Sequence, residues 1–334
     1  MSEAVTIAAP SAARRSIVFL LVLIALLLGA ALPILPISAT TVTLMTQGTF
    51  TAIMATGVGL LIRQCGLVSF GHATFFGLGA YITALLFKHT ALHFSVVFIL
   101  AVAIPTALGF LIALVIVRQT GVAFSMLTLA VAQVFHEVVL KWRDLAGGDD
   151  GMSVKLPPTI FGLPGSAFQN APTMFFISWS LLVLILFGLY QLSHSRMGRL
   201  IFAIRDNEER ARFLGHATLL PRAIIFALSA AIGALGGVLF LLYNAYVSPD
   251  LLHWTTSGFA LVMAIVGGAE FVLGPAIGAL VFLFFKDAMG DITEHWQAIM
   301  GSVLIVITVW RPSGLAGIAL SVLERLKLAA GASK

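Results

Sequence analysis

The chain has 334 residues, of which 60% are hydrophobic and only 10% are charged, and its mean hydropathy is +1.05. Soluble domains carry roughly 25% charged residues, so this composition excludes a soluble globular protein and predicts a membrane protein. The net charge of +5 at pH 7 does not indicate nucleic-acid binding, because the arginines lie in short loops beside apolar runs, where membrane topology accounts for them.

Apolar runs of about 20 residues recur along the whole chain, and each is long enough to cross roughly 30 Å of hydrocarbon as an α-helix. Backbone groups must bond to one another there, so the fold is predicted to be all-α and polytopic. Breaks at charged or Pro/Gly-rich positions predict about ten spans: 17–36, 40–62, 67–87, 93–117, 121–140, 173–193, 221–246, 255–270, 273–287 and 294–310. The eighth and ninth spans form one long run, and their division is the least secure.

Lysine and arginine are distributed unequally between the two sides that these spans define. With the N-terminus inside, fourteen of the 19 fall on the inner side, including six arginines between Arg196 and Arg222. Positive side chains are retained in the cytoplasm. We therefore predict one transmembrane domain over residues 1–334, with cytoplasmic tails at 1–16 and 311–334.

A glycine-rich stretch at the start of the third span reads GLVSFGHATFFGLGAY, residues 66–81. Ser69 and His72 are three residues apart and would touch on a helix, but no acidic residue accompanies them, so a catalytic triad is not indicated. Small residues let neighbouring helices approach closely. Packing is the favoured interpretation of these glycines and of a similar later group; together they are Gly66, Gly71, Gly77, Gly79, Gly267, Gly268 and Gly274.

Charged side chains are scarce inside the spans, so uncharged polar ones are the candidates for a translocation path. Gln47 and Gln133 lie deep in the second and fifth spans, where an amide can bond across helices or line a path. Ser69 and His72 are further path or gate candidates, near the cytoplasmic side.

An outer loop is predicted over residues 142–172, where turn signals such as Gly147–Gly151 are frequent. Asp149 and Asp150 lack the roughly six oxygen ligands of a calcium site, so a solvated turn is favoured. The single cysteine, Cys65, cannot form an internal disulfide and implies no zinc chemistry. No metal, cofactor or catalytic residue is predicted.

The inner segment 194–221, the arginine-rich loop, shows the pattern of a short helix within residues 204–215. Asp206 is predicted to cap this helix together with Glu209, three residues later. Gly215 is predicted to stop it.

Two ion pairs at i,i+4 spacing are predicted on that helix, Asp206 with Arg210 and Glu208 with Arg212. The residues alone support two interpretations equally: a solvated helix whose arginines enforce topology, or a docking surface for a cytoplasmic partner. The chain contains no Gly-x-x-x-x-Gly-Lys-Ser/Thr sequence, so any ATP dependence would come from a partner.

Further motifs follow the glycine-rich stretch in order: Thr128–Gln133, Gly147–Gly151 after Trp142, Ala203–Glu208 with Gly215, Gly267–Gly268 with Gly274–Pro275, and Arg311–Leu315. Together, over about residues 40–317, they resemble the M-type permease subunit of branched-chain amino acid ABC importers. The sequence departs from the family's usual pattern at Leu67, where glutamine is common, and at Glu270, where a small or polar residue is common. No substrate contact is assigned to either position.

The resemblance implies a type II-like importer permease of ten helices, in a bacterial inner membrane. It implies three kinds of partner besides lipid: a second homologous permease subunit, two cytoplasmic ATP-binding subunits and a periplasmic substrate-binding protein. The implied reaction is ATP-driven uptake, with ATP hydrolysed by the partner subunits and not by this chain.

The resemblance also favours docking for the arginine-rich loop, which in such importers fits a cleft on the ATPase. The residues that match the coupling motif are Arg205, Asp206, Asn207, Glu208, Arg210 and Gly215. Related permeases serve urea or aromatic acids, so the substrate stays open. An ion-coupled secondary carrier is the alternative from another class, and an intramembrane enzyme using Ser69 and His72 is the weakest.

Overall fold

A computed structural model describes residues 12–34, 36–290, 292–293, 295–310, 313–318 and 321. Most of the predicted tails 1–16 and 311–334 therefore lies outside the described residues, as do Asp291, Glu294, Arg311 and Pro312. The helices are α1 (Ala12–Ala31), α2 (Ala39–Cys65), α3 (His72–His89), α4 (Phe94–Ile116), α5 (Gly121–Lys141), α6 (Arg143–Ala146), α7 (Ala171–His194), α8 (Arg196–Asp206), α9 (Glu208–Phe213), α10 (Leu219–Asn244), α11 (Trp254–Gly267), α12 (Gly274–Gly290) and α13 (Trp296–Trp310).

In the described ranges, four two-residue strands accompany the helices. β1 (Met152–Ser153) pairs antiparallel with β4 (Tyr246–Val247), and β2 (Thr159–Ile160) pairs antiparallel with β3 (Leu163–Pro164). The first pair ties the 142–172 loop to the end of α10, so this loop is structured as its turn signals predicted.

Among the described residues, five helices are long and apolar enough to cross a membrane: α2, α4, α5, α7 and α10. Shorter apolar helical stretches add to them: Leu20–Ala31 within α1, Trp254–Gly267 (α11) and Trp296–Trp310 (α13). The prediction of an all-α, multi-pass membrane protein is confirmed, and each of the ten predicted spans contains one of these helices or α3 or α12. How many of them cross the bilayer stays a prediction.

The structure differs from the sequence prediction at the third span. The predicted helix 67–87 begins only at His72, because residues 66–71 are not helical. Gly66 ends α2 in the left-handed region, at φ 65°, a conformation that glycine adopts without steric cost. The chain therefore leaves α2 through an irregular segment, which we call the connector (residues 66–71).

The uncertain division of the run 255–287 is resolved as two helices. α11 ends at Gly267 and α12 begins at Gly274, with Gly268 at φ 102° in the turn between them. A side chain at Gly267 or Gly274 would overlap backbone atoms of the opposing helix end. The two helices therefore meet backbone to backbone.

The core lies between α2 and α10. In the apolar stretch of each helix, 78% of the residues of α2 and 72% of those of α10 are buried, against 28% for α4 and 22% for α5. α3 packs directly on α10, where a Cβ at Gly79 would overlap Ala234 and one at Gly237 would overlap the carbonyl oxygen of Phe76. Small residues thus bring these backbones into contact, as in many membrane helix pairs.

We expect Gly237→Ala to destabilise the protein by about 1–3 kcal/mol, because the added methyl group forces α3 and α10 apart. The control is Gly258→Ala, also within a helix, where a Cβ meets nothing within 4 Å. Thermal unfolding of the purified protein in detergent measures both. Equal stability of the two variants would contradict the close contact.

Candidate functional site

The connector lies among membrane helices, yet neighbouring hydroxyl groups bond its backbone. Ser125 Oγ of α5 donates to the carbonyl oxygen of Val68 at 2.7 Å, and the Phe70 N–H donates to Thr128 Oγ1 at 3.1 Å. Non-helical backbone at membrane depth is tolerated where protein groups replace water in this way. α5 therefore supplies the hydrogen bonds that the break in the helix requires.

The first turn of α3 has a similar partner on α11. The Ala73 N–H donates to Ser257 Oγ at 2.8 Å, and both residues are fully buried. A helix start leaves its first N–H groups without partners inside the helix. The Ser257 hydroxyl thus satisfies one of them.

The end of the connector is deep along the helices that surround it. Gly71 lies against Thr128, about 10 Å along α5 from Gly121, and His72 meets Ser229, about 15 Å along α10 from Leu219, at 1.5 Å rise per residue. Half of a 30 Å hydrocarbon layer is about 15 Å. The connector thus reaches well into the bundle from one end of α5 and α10.

His72 is the centre of a continuous chain of hydrogen bonds. Its Nδ1 is 2.9 Å from Ser69 Oγ, and its Nε2 bonds with Ser229 Oγ. The Gly71 N–H donates to the same Ser69 oxygen. Ser229 in turn donates to the carbonyl oxygen of Gly57 at 2.6 Å. Because the Ser229 proton is used on Gly57, the imidazole donates through Nε2 and accepts from Ser69 at Nδ1. The chain joins the connector to α2 and α10.

Ser69 and His72 are in contact, but Ser69 precedes α3, so the contact crosses the start of the helix. Both side chains have no solvent exposure. The other ring nitrogen faces Ser229, and no carboxylate in the described part of the chain bonds with it. The arrangement lacks the acid of a catalytic triad and an opening for substrate. It connects helices and does not support hydrolysis.

The other two path candidates lie away from this cluster. Gln47 is half-buried in the first half of α2, and Gln133 is half-buried on α5, where its amide donates to Glu137 Oε1 at 3.1 Å. Glu137 also pairs with Lys141. No described hydrogen bond joins either glutamine to Ser69 or His72, so the structure does not gather the four candidates into one site.

The seven glycines predicted to pack lie where a side chain would meet another element or strain the backbone. Two, Gly66 and Gly268, have positive φ. The facing residues are Arg205 for Gly66, Thr128 for Gly71, Leu252 for Gly77, Ala234 for Gly79, Gly274 for Gly267, Ser313 for Gly268 and Gly268 for Gly274.

The arginine-rich loop forms two helices, α8 and α9, that break at Asn207. The predicted cap, Asp206, is wrong: it is the last residue of α8, whereas Asn207 is extended and its Oδ1 accepts from the Arg210 N–H at 2.8 Å. Both residue types cap helices well, and continuation of α8 to Asp206 decides between them. Gly215, at φ 83°, follows the end of α9 as predicted.

Glu208 holds α9 against the start of α10. Its carboxylate pairs with Arg212 at 2.5 Å and with Arg222 at 2.7 Å, and accepts from the Thr218 hydroxyl at 2.9 Å. The predicted pair of Glu208 with Arg212 is present, whereas Asp206 with Arg210 is not among the ion pairs of the described residues. Arg222, only 6% exposed, is the partner that i,i+4 spacing could not predict.

The network sets the pKa of the Glu208 carboxyl. Partial burial acts to raise it, but the Thr218 hydrogen bond and the positive charges of Arg222 and Arg212 together hold this pKa below its ordinary value. Favourable charges and hydrogen bonds to the ionised form outweigh desolvation here. Glu208 therefore stays charged at neutral pH.

The outward side of the arginine-rich loop carries both positive charges and exposed apolar side chains. Phe213 is 90% exposed and Leu214 is 72% exposed, and next to them α8 and α9 form a groove of about 480 Å³. The charged or titratable side chains that line the groove are Arg196, Arg199, Arg210 and His216. Arg205 lies on the opposite side, where it bonds to the end of α2. Exposed large apolar side chains at a loop tip are typical of an interaction surface.

The sequence interpretation missed the hydroxyl groups that carry the site: Ser125, Ser229 and Ser257, with Thr128 noted only as part of a motif. Each is a hydroxyl within a predicted span, and that is the signal that could have found them, because polar groups in membrane spans bond across helices.

The chain matches the family described as "Branched-chain amino acid transport system / permease component" over residues 40–308. The chain belongs to this family. The high-affinity branched-chain amino acid transport system permease protein LivM of Escherichia coli is 28% identical, over 94% of this chain and 78% of that protein. LivM of Salmonella typhimurium is 27% identical, over 79% of this chain and 67% of that protein.

The permease also resembles proteins named as a different permease component. LivH of Salmonella typhimurium is 25% identical, over 82% of this chain and 93% of that protein. No solved structure matches the chain. The permease is therefore a transport subunit of the membrane, of the kind that the glycine-rich stretch and the later motifs predicted.

We expect Ser229→Ala to destabilise the permease by about 1–3 kcal/mol, because it leaves the buried Nε2–H of His72 without an acceptor. The control is Ser180→Ala, which removes a buried hydroxyl that has no partner among the described residues and should be neutral or stabilising. Thermal unfolding in detergent compares the two. A double mutant with His72→Leu should lose less stability than the sum of the single changes, and additivity would contradict the chain of bonds.

Glu208→Gln should loosen α9 by about 1–2 kcal/mol, because Arg222 loses its counter-ion while partial exposure limits the cost. Local opening should rise about 5- to 30-fold, so trypsin should cleave faster after Arg210 and Arg212. Glu209→Gln, at an exposed neighbouring carboxylate, is the control. Cleavage at the wild-type rate in Glu208→Gln would contradict the network.

The lowered pKa of Glu208 also predicts a pH dependence. Its stabilisation of α9 should be complete above the ordinary glutamate pKa of 4.5 and lost as the pH falls through the lower folded value. Amide hydrogen exchange of residues 208–213, corrected for the intrinsic pH effect, should stay slow down to about pH 5 and accelerate below it. Glu208→Gln should remove this pH step.

Proposed function

We propose that the chain is the membrane-spanning permease of an ATP-driven importer for branched-chain amino acids or related small polar or carboxylate solutes. Its partners in the proposal are a second homologous permease, two cytoplasmic ATP-binding subunits and a periplasmic substrate-binding protein. ATP is hydrolysed by the ATP-binding subunits. Family membership over most of the chain supports the transport role.

The observation that carries the coupling role is the outward side of the arginine-rich loop. Phe213 and Leu214 are exposed beside the cationic groove, while Glu208 fixes α9 to α10 from the inward side. A surface that is apolar at its centre, charged at its rim and held rigidly is suited to a protein partner. We assign ATPase contact to this surface, with Arg210 at its rim and Gly215 closing α9, and a structural role to Glu208 and Asn207.

The proposed topology has ten spans, both termini in the cytoplasm and a bacterial inner-membrane location. The excess of Lys and Arg on one side supports it, and so does the division of 255–287 into α11 and α12, because an even number of spans returns the C-terminal end to the side of the arginine-rich loop. The 142–172 loop then faces the binding protein.

The proposed mechanism is alternating access. Closure of the ATPases moves α8 and α9, and the helices rock about the packed pair of α2 and α10. Ser69, His72 and Ser229 have no solvent exposure in this structure, so movement of the helices would be needed to open the cluster. The permease contributes shape and movement, and no bond of the substrate is broken.

The alternative function is an ion-coupled carrier. Such a carrier needs an ionisable group or a broken helix near the midplane of the membrane. His72 beside the connector has that position. Its two ring nitrogens, however, bond to Ser69 and Ser229, and no carboxylate in the described residues forms a relay with it. These contacts favour the ATP-driven importer.

The test is uptake by proteoliposomes that contain the complete complex and its binding protein. We expect uptake to require ATP hydrolysis and to persist when an ionophore collapses ion gradients. Unlabelled leucine, urea and benzoate as competitors distinguish the substrate classes. Uptake without ATPase subunits that stops with the ionophore would replace the proposal by the carrier.

The docking assignment is tested by Arg210→Glu, which should weaken ATPase binding about tenfold, or about 1.4 kcal/mol, because it reverses one of the positive charges that line the groove. Arg118→Glu is the control, at an exposed arginine between α4 and α5. Co-purification of the ATPase subunits measures both variants. Full ATPase binding by Arg210→Glu would place the docking surface elsewhere.

A further inference from the structure

Arg205 bonds away from the groove, to the end of α2. Its Nη1 donates to the carbonyl oxygen of Arg63 at 2.6 Å, and its side chain lies 3.4 Å from the position that a Cβ on Gly66 would occupy. Gly66 is the first residue of the connector. Arg205, in the last turn of α8, therefore touches the point at which the chain leaves α2.

This contact is suited to hold the end of α2. The last carbonyl groups of a helix have no partner inside it, and a positive charge there interacts favourably with the helix dipole. The Gly66 N–H takes the carbonyl of Ile62, and Arg205 takes the next one, that of Arg63. The guanidinium thus completes the C-terminal cap immediately before the connector.

A second set of contacts makes the same connection. The Arg63 guanidinium lies 5.8 Å above the Phe202 ring of α8 and donates to Ser193 Oγ of α7 at 2.8 Å. Gln64 donates to the same Ser193 oxygen at 3.1 Å. The end of α2 is therefore bound to α7 and to α8. If α8 shifts while Arg205 stays bonded, the start of the connector must move or bend with it.

The other end of the connector bonds into the helix bundle. Ser69 and His72, through Ser229, join it to α10 and α2. The connector comprises only residues 66–71, so it is a short link between the surface of the arginine-rich loop and the buried cluster. Residues bonded at both ends of a short irregular segment are placed to pass a displacement along it.

We propose that Arg205 is a positioning residue that transmits movement of the arginine-rich loop to the connector and the His72 cluster, and that it does not contact the ATPase. This inference rests on the proposed function and divides the coupling residues into two groups. Arg210, Phe213 and Leu214 receive the partner, and Arg205 passes the movement to α2.

The experiment uses the complete complex, with cysteine-free partner subunits, in proteoliposomes. Cys65 is the single cysteine of this chain, is buried, and precedes Gly66, so its labelling by a maleimide reports on the start of the connector. Three measurements are made on each variant: ATPase co-purification, uptake per ATP hydrolysed, and the change in Cys65 labelling between the ATP-trapped and nucleotide-free states.

Arg205→Ala should keep ATPase co-purification and lower uptake per ATP by about tenfold, and it should abolish the nucleotide-dependent change in Cys65 labelling. Arg205→Lys keeps a positively charged donor and should recover part of the uptake per ATP and part of the labelling change. This variant also replaces Arg205→Ala in the test if Arg205→Ala fails to fold. Arg210→Ala is the matched control: it should lower ATPase co-purification, and the complexes that remain should keep the labelling change.

Two results would overturn the inference. Wild-type coupling and labelling in Arg205→Ala would show that no movement passes through this contact. Loss of ATPase co-purification in Arg205→Lys to the extent seen for Arg210→Ala would make Arg205 a docking residue. If the wild-type complex shows no ATP-driven uptake, the proposed function fails and takes the inference with it, whereas a failure confined to the Arg205 variants leaves the proposed function intact.

Discussion

An unpaired backbone group in the hydrocarbon of a bilayer costs several kcal/mol, and this cost governs the design of the bundle around the connector. The helical ladder stops at Gly66 and resumes at His72. Hydroxyls of α5 bond two of the groups released between them, Ser257 of α11 accepts from the first turn of α3, and Ser229 of α10 bonds the His72 ring. These three helices therefore stand beside the break, and close backbone contacts hold α10 against α3.

In the proposed mechanism, the same break is the part of the permease that moves without unfolding a helix. Without the break, α2 would continue into α3 as one helix. The connector is instead a short irregular segment that side-chain hydrogen bonds hold at each end. The Glu208 network fixes α9 to α10, and the Arg205 contact fixes α8 to α2. The arginine-rich loop is thus attached to the two most buried helices, and α4 and α5 stay largely exposed at the bundle surface.

Much of the fold was predictable because hydropathy is a local property. A helix lies in each of the ten spans that the apolar runs predicted, and Gly215 marked the end of α9 correctly. The start of α3 was missed, since an apolar sequence reads the same whether its backbone bonds to itself or to Ser125 and Thr128. Asp206 was predicted as the cap where Asn207 is the cap in the structure. Both residue types suit that position, and the length of α8 decides which of them occupies it.

The sequence by itself determined that this chain is a helical membrane protein of the branched-chain amino acid permease family, since composition and motif order suffice for both conclusions. It also marked the glycines, whose small size is a property of the residue alone. Only the tertiary structure decided that Ser69 and His72 belong to a chain of hydrogen bonds that ends on Gly57, and that Arg205 faces α2 while Arg210 faces the groove. The contacts of Ser229 with His72 and Gly57, and of Arg205 with Arg63, join residues more than a hundred positions apart in the chain, and no local pattern records them.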